Sequence, residues 1–133
     1  MSFELIFLLI FICLFLFTLS SFSESSGWSK LSEKYKNKDD FDDVIIKNIS
    51  ANFTKDDYFN GILNIGVNDN FMHLSINPFF KFFTPNLLVP IQDLSFSVEK
   101  SNLIFKFKIE FKEYPDIFFC ITKRNAKKLG FEI

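Results

Sequence analysis

Residues 103–112 read LIFKFKIEFK, with Leu103, Phe105, Phe107, Ile109 and Phe111 alternating against Ile104, Lys106, Lys108, Glu110 and Lys112. A period of two sends successive side chains to opposite faces of a strand, so this segment has one apolar and one wet face, as in an antiparallel sheet solvated on one side. The same period recurs upstream. Leu94, Phe96 and Val98 alternate with Ser95, Ser97 and Glu99, and Met72, Leu74 and Ile76 alternate with Phe71, His73 and Ser75. Residues 58–67 (YFNGILNIGV), 44–53, 87–91 and 117–122 add further short apolar or β-branched runs. Asn68-Asp69-Asn70 is expected to turn a hairpin through positive φ, and Tyr114-Pro115-Asp116 to turn the chain into the last strand.

Two short helices frame these strands. In WSKLSEKY, Trp28, Leu31 and Tyr35 stand at i, i+3 and i+7, one helical face, which predicts that they dock on the sheet. Residues 123–129 predict a basic helix stopped by Gly130. The expected fold is mainly β, a β-rich α+β domain: an antiparallel sandwich or open barrel of about six or seven strands with a short C-terminal helix.

The 133 residues, 48% hydrophobic with 21 Phe and a net charge of -1, make one domain. Hydrophobicity this high excludes disorder, two Cys are too few for a disulfide scaffold, and near-neutral charge removes whole-chain basicity as a sign of nucleic-acid binding. Leu5 to Phe17 (LIFLLIFICLFLF) is unbroken apolar sequence, and no charge lies between Glu4 and Glu24. As a helix that uncharged stretch would rise about 28 Å, close to the ~30 Å of a hydrocarbon core. Residues 1–23 are therefore expected to be a membrane anchor or a signal peptide. Residues 24–43 are expected to hold a linker and a short juxtamembrane helix, with the Ser-rich SSFSESSG of 20–27 as a short linker, and residues 44–133 the β domain. Lys30, Lys34, Lys36 and Lys38 follow the apolar run and no Lys or Arg precedes it, which favours an uncleaved anchor with the C-terminal domain in the cytoplasm. The alternative is a secreted or periplasmic protein released by cleavage near Ser21-Phe22-Ser23.

The stretch GILNIGVNDNFMHLSI, followed after a loop by NLLVPIQDLSFSVE, resembles the GRAM and pleckstrin-homology-like pattern. The chain is also similar to small bacterial single-pass proteins of unknown function with a Trp-x-x-Leu-x-x-x-Tyr helix and a Tyr-x-Gly strand. Trp28, Leu31, Tyr35, Tyr58, Gly61, Pro90 and Asp93 carry the likeness. The resemblance implies a pleckstrin-like sandwich and supplies no catalytic site.

No catalytic or metal motif is present: there is no HExxH, CxxC, His pair or glycine-rich phosphate loop. The expectation is a non-enzymatic protein without cofactor. His73 reads as an edge or sheet-face residue, the thiols as structural, and the Asp39, Asp40, Asp42 and Asp43 run as a solvated turn rather than a calcium loop. The loop NPFFKFFTP is the unusual feature of the domain. Phe79, Phe80, Phe82 and Phe83 around Lys81 suit insertion at a membrane interface, or else fold back to close the core or meet a protein partner. Lys123, Arg124, Lys127 and Lys128 form a basic cluster suited to anionic lipid or to the helix dipole. The expected partners are the lipid bilayer or another membrane protein, and no nucleic acid.

Overall fold

The computed structural model describes residues 2–37, 45–54, 57–78, 83–100 and 104–132. Seven segments of period two form strands: β1 (Ile45–Phe53), β2 (Asp57–Val67), β3 (Phe71–Ile76), β4 (Leu87–Pro90), β5 (Leu94–Val98), β6 (Phe107–Phe111) and β7 (Tyr114–Ile121). They make one antiparallel sheet in the order β4-β3-β2-β1-β7-β6-β5.

The two edges of this sheet, β4 and β5, are joined only by a 3-10 turn, Ile91–Asp93. Four residue steps from Pro90 to Leu94 reach at most about 14 Å. Seven strands at ~4.8 Å spacing would hold the edges of a flat sheet about 29 Å apart. The sheet must therefore roll on itself, and its concave face becomes a single core, as in an open barrel. Phe53, Phe59, Leu63, Ile65, Met72, Leu74, Ile109, Phe111 and Phe119 are fully buried there. The alternation at Phe105, Phe107, Ile109 and Phe111 directs all four rings and branches inward. Val98 breaks the pattern at 47% exposed, because it ends the edge strand β5.

Helix α1 (Phe3–Ser25) starts at Ser2, whose side chain accepts the Leu5 N–H, and helix α2 (Trp28–Tyr35) buries Trp28, Leu31 and Tyr35 as its spacing predicts. Helix α3 (Lys123–Lys128) is capped by the Thr122 side chain, which accepts from the Asn125 N–H. It ends in a Schellman motif: the Phe131 N–H reaches the Ala126 carbonyl, the Gly130 N–H reaches that of Lys127, and Gly130 takes φ +95°. Phe131 then lands between Phe96 and Phe107, with both centroid distances 4.8 Å.

Three local expectations change. The Ser-rich linker is instead mostly helical, since α1 continues through Ser20 to Ser25 and only Ser26 and Gly27 separate it from α2. Its hydroxyls return to helix carbonyls, Ser25 to Phe22 and Ser26 to Ser23, and Leu19 and Ser23 are buried by the domain. The 68–70 turn uses no positive φ; the Asn68 carboxamide accepts from the N–H groups of Asn70 and Phe71. Residues Tyr114–Asp116 lie within β7, and the turn sits at Lys112-Glu113. Pro115 is tolerated there because it falls in the break of the β6–β7 register between Tyr114 and Phe118, and β1 pairs with β7 only at Phe119 and Cys120. Of the two places expected for His73, an edge or a sheet face, it takes the second: it lies in β3 between β2 and β4, only 3% exposed.

Candidate functional site: the junction of the apolar helix with the sheet

From Phe3 to Leu14 every residue of α1 is exposed. Phe3 is 80% exposed, Phe11 65% and Phe17 73%, and the helix is long and apolar enough to cross a membrane. Its last turns are fixed. The Phe22 ring meets that of Phe59 at 4.3 Å between centroids, and Phe59 continues into the stack of Phe53 (4.3 Å) and Phe119 (4.8 Å) at the centre of the barrel. Ser23, buried, donates from Oγ to the Phe83 carbonyl at 2.8 Å.

The junction continues into α2. Gly27 holds φ +87°, and a Cβ there would lie 2.8 Å from Cγ1 of Ile117, so only glycine fits this bend. Trp28 is fully buried against Phe53 and Phe59, and its indole Nε1 donates to the Pro85 carbonyl at 2.8 Å. At the far end of α2 the Tyr35 hydroxyl donates to Asp93 at 2.9 Å, and Lys34 pairs with Glu113. Burial, then the bond to Asp93, pushes the Tyr35 hydroxyl well above its usual range. The bond to Glu113 likewise holds the Lys34 ammonium above its ordinary value. Both ends of α2 are thus pinned to the barrel.

Between the docked half of α1 and the sheet runs a crevice of about 180 Å³, lined by Phe15, Thr18, Leu19 and Phe22 of α1, Ile62 and Ile76 of β2 and β3, and Thr84. Leu19, Ile76 and Thr84 are buried and form its floor, while Thr18 is exposed at its rim. The Thr18 hydroxyl bonds back to the Leu14 carbonyl at 2.9 Å, so its hydrogen is spent within the helix.

Of the residues singled out in the sequence, Phe83 is at this junction, 37% exposed, its carbonyl held by Ser23. Phe79, Phe80, Lys81 and Phe82 lie outside the described residues, as do Asp39, Asp40, Asp42 and Asp43. Lys123, Arg124, Lys127 and Lys128 are all exposed on α3, which is held through Phe131 against β5 and β6 rather than through the junction. Cys120 is buried, and burial raises its thiol above the ordinary range, which suits a structural side chain. Among the described residues no group of three or more His, Cys, Asp or Glu converges as a metal site would require. The crevice residues Thr18, Leu19, Ile62, Ile76 and Thr84 carry no motif; only the fold assembles them.

Compared with protein-family models, with curated proteins and with solved structures, the chain matches none.

Proposed function

We propose that this chain is a single-pass membrane protein whose β domain is a non-enzymatic interaction module held flush against the bilayer, recognising lipid headgroups or a membrane-protein partner. The observation that carries this reading is the two-part character of α1: solvent-exposed apolar surface from Phe3 to Leu14, and a last stretch locked into the aromatic core through Phe22 and Ser23. A helix serving only as a discarded leader has no reason to supply a ring to the domain's central stack. Removing residues 1–23 would strip Phe22 from Phe59 and the Ser23 hydroxyl from Phe83.

The geometry of α1 also supports close apposition. From Phe3 a helix rising ~1.5 Å per residue crosses a ~30 Å hydrocarbon core at about Phe22. The turns that dock on the sheet thus fall in the outer hydrocarbon and headgroup layers, and the domain rests on the surface with no free tether. The lysines that follow α1, Lys30, Lys34, Lys36 and Lys38, support a domain on the cytoplasmic side. Seven antiparallel strands followed by a short C-terminal helix support the pleckstrin-like part of the reading, being the layout the sequence resemblance implies.

Intact-mass measurement of the chain recovered from carbonate-washed membranes tests the proposal. The expected species retains residues 3–25. A soluble species lacking about the first 23 residues, the size a signal cleavage would remove, would replace the anchor with an exported domain.

A further inference from the structure

We infer that the crevice between α1 and the sheet is a binding site for the acyl chain of a bilayer lipid. The inference rests on the anchored reading above and adds an occupant to it.

Three observations converge on that chemistry. The walls are apolar apart from two threonines, and Thr18 has already spent its hydroxyl hydrogen on Leu14. Water in such a space finds too few partners, since a buried water needs two to four polar contacts. The volume, about 180 Å³, is comparable to the dry apolar cavity of about 150 Å³ that accepts benzene, so a run of methylenes has room where a folded peptide segment does not.

Position supplies the third. Four lining residues, Phe15, Thr18, Leu19 and Phe22, belong to the helix that crosses the bilayer, and they lie at the depth where the span meets the surface layer. The opposite wall, Ile62 and Ile76, comes from the sheet. With the rim open at Thr18 and the floor closed by Leu19, Ile76 and Thr84, an acyl chain from the adjoining leaflet enters sideways and never crosses water. Such a chain would seal the gap between anchor and domain and couple the domain's seating to the lipid beneath it.

The test reconstitutes the full chain into phosphatidylcholine and phosphatidylglycerol vesicles containing a small fraction of lipid with a photoreactive diazirine in mid-chain. After irradiation, adducts are mapped by peptide mass spectrometry. Labelling is expected on Ile62, Ile76 or Thr84 as well as on the Phe3–Leu14 span. Filling the crevice by Ile62→Trp, or independently by Thr84→Leu, should remove the adducts on the sheet residues left unchanged and spare those on the span. Adducts confined to Phe3–Leu14, or sheet adducts that persist in both filled variants, would overturn the acyl-chain site while leaving the anchor intact. Absence of labelling on α1 as well would overturn the anchored reading itself.

Discussion

The side chain of Ser23 and the main chain of Phe83, sixty residues apart in sequence, are joined by a 2.8 Å hydrogen bond that fixes the end of the apolar helix to the rim of the barrel. At the preceding residue of the helix, Phe22 packs ring to ring on Phe59. A hydroxyl and a ring, both on α1, thus tie the end of the helix to the sheet.

Their loss should be graded. Ser23→Ala removes a donor from a partly buried bond and should cost about 1 kcal/mol. Phe22→Ala removes a half-buried ring from the central stack and should cost about 2–3 kcal/mol, short of the full price of a core phenylalanine. Thermal unfolding of the full chain in detergent micelles reads both, and equal midpoints for wild type and Phe22→Ala would show that the helix does not dock.

Gly27 and Gly130 both hold positive φ, but their surroundings differ, which separates backbone strain from collision. Gly130→Ala meets nothing within 4 Å and should lose only the left-handed penalty of about 1 kcal/mol. Gly27→Ala carries that penalty and also drives its methyl into Ile117, so it should cost at least about 2–3 kcal/mol. In the pair Gly27→Ala with Ile117→Ala the collision disappears while the strain stays. The double variant should therefore be less damaged than the sum of the two singles, as a double-mutant cycle of unfolding free energies would register.

Tyr35 makes stability sensitive to alkali. Its hydroxyl is raised above the ordinary tyrosine value by burial and by the bond to Asp93, so the folded state holds this proton more tightly than the unfolded chain. The resulting stabilisation is fully present below the unfolded value near 10 and is lost as pH rises from there toward the folded value. Cys120, raised by burial, acts in the same direction, beginning near its ordinary value of about 9. Tyr35→Phe should lower stability at neutral pH by roughly 1–2 kcal/mol, the bond to a carboxylate being lost, yet flatten its decline above about pH 10. Urea unfolding in micelles across pH 7 to 11 checks both signs, and an unchanged alkaline slope in Tyr35→Phe would place the titration elsewhere.

The strands and α2 were legible because burial imposes a period on neighbours in sequence. Phe105 to Phe111 and Met72 to Ile76 alternate because one sheet face is the core, and Trp28, Leu31 and Tyr35 are spaced because one helix face is. The junction has no such period. Ser23 finds Phe83, and Trp28 finds Pro85, across separations of 60 and 57 residues, contacts that exist only once the sheet has rolled. The serines of 20–25 mislead for the same reason: their intrinsic preference is for caps and turns, and the tertiary docking of Leu19, Phe22 and Ser23 outweighs it. Pro115 suggests a turn until the pairing shows that β1 ends before reaching it.

At the other end of the domain a ring helps to secure the basic helix. Phe131 follows the Schellman turn of α3 and packs on both Phe96 and Phe107, across the strands β5 and β6. Within α3 itself only Ala126 is buried, and at its C-cap Leu129 is partly buried against the same core. Phe131→Ala should therefore free α3 while leaving the sheet paired, at a cost of about 2 kcal/mol for a partly buried ring. Hydrogen exchange should show it locally: faster exchange at the amides of Ala126, Leu129 and Gly130, which bond within α3 and its cap, and little change at Ile109 or Phe119 in the core strands. Because Lys123, Arg124, Lys127 and Lys128 ride on this helix, the same substitution tests whether they act as a fixed patch. In the full chain reconstituted into vesicles, a fixed patch should make the exchange of the α3 amides slower over anionic than over neutral lipid in the wild type, and Phe131→Ala should abolish that difference. If only their charge matters, the difference should survive Phe131→Ala and vanish only when the four are replaced by Gln.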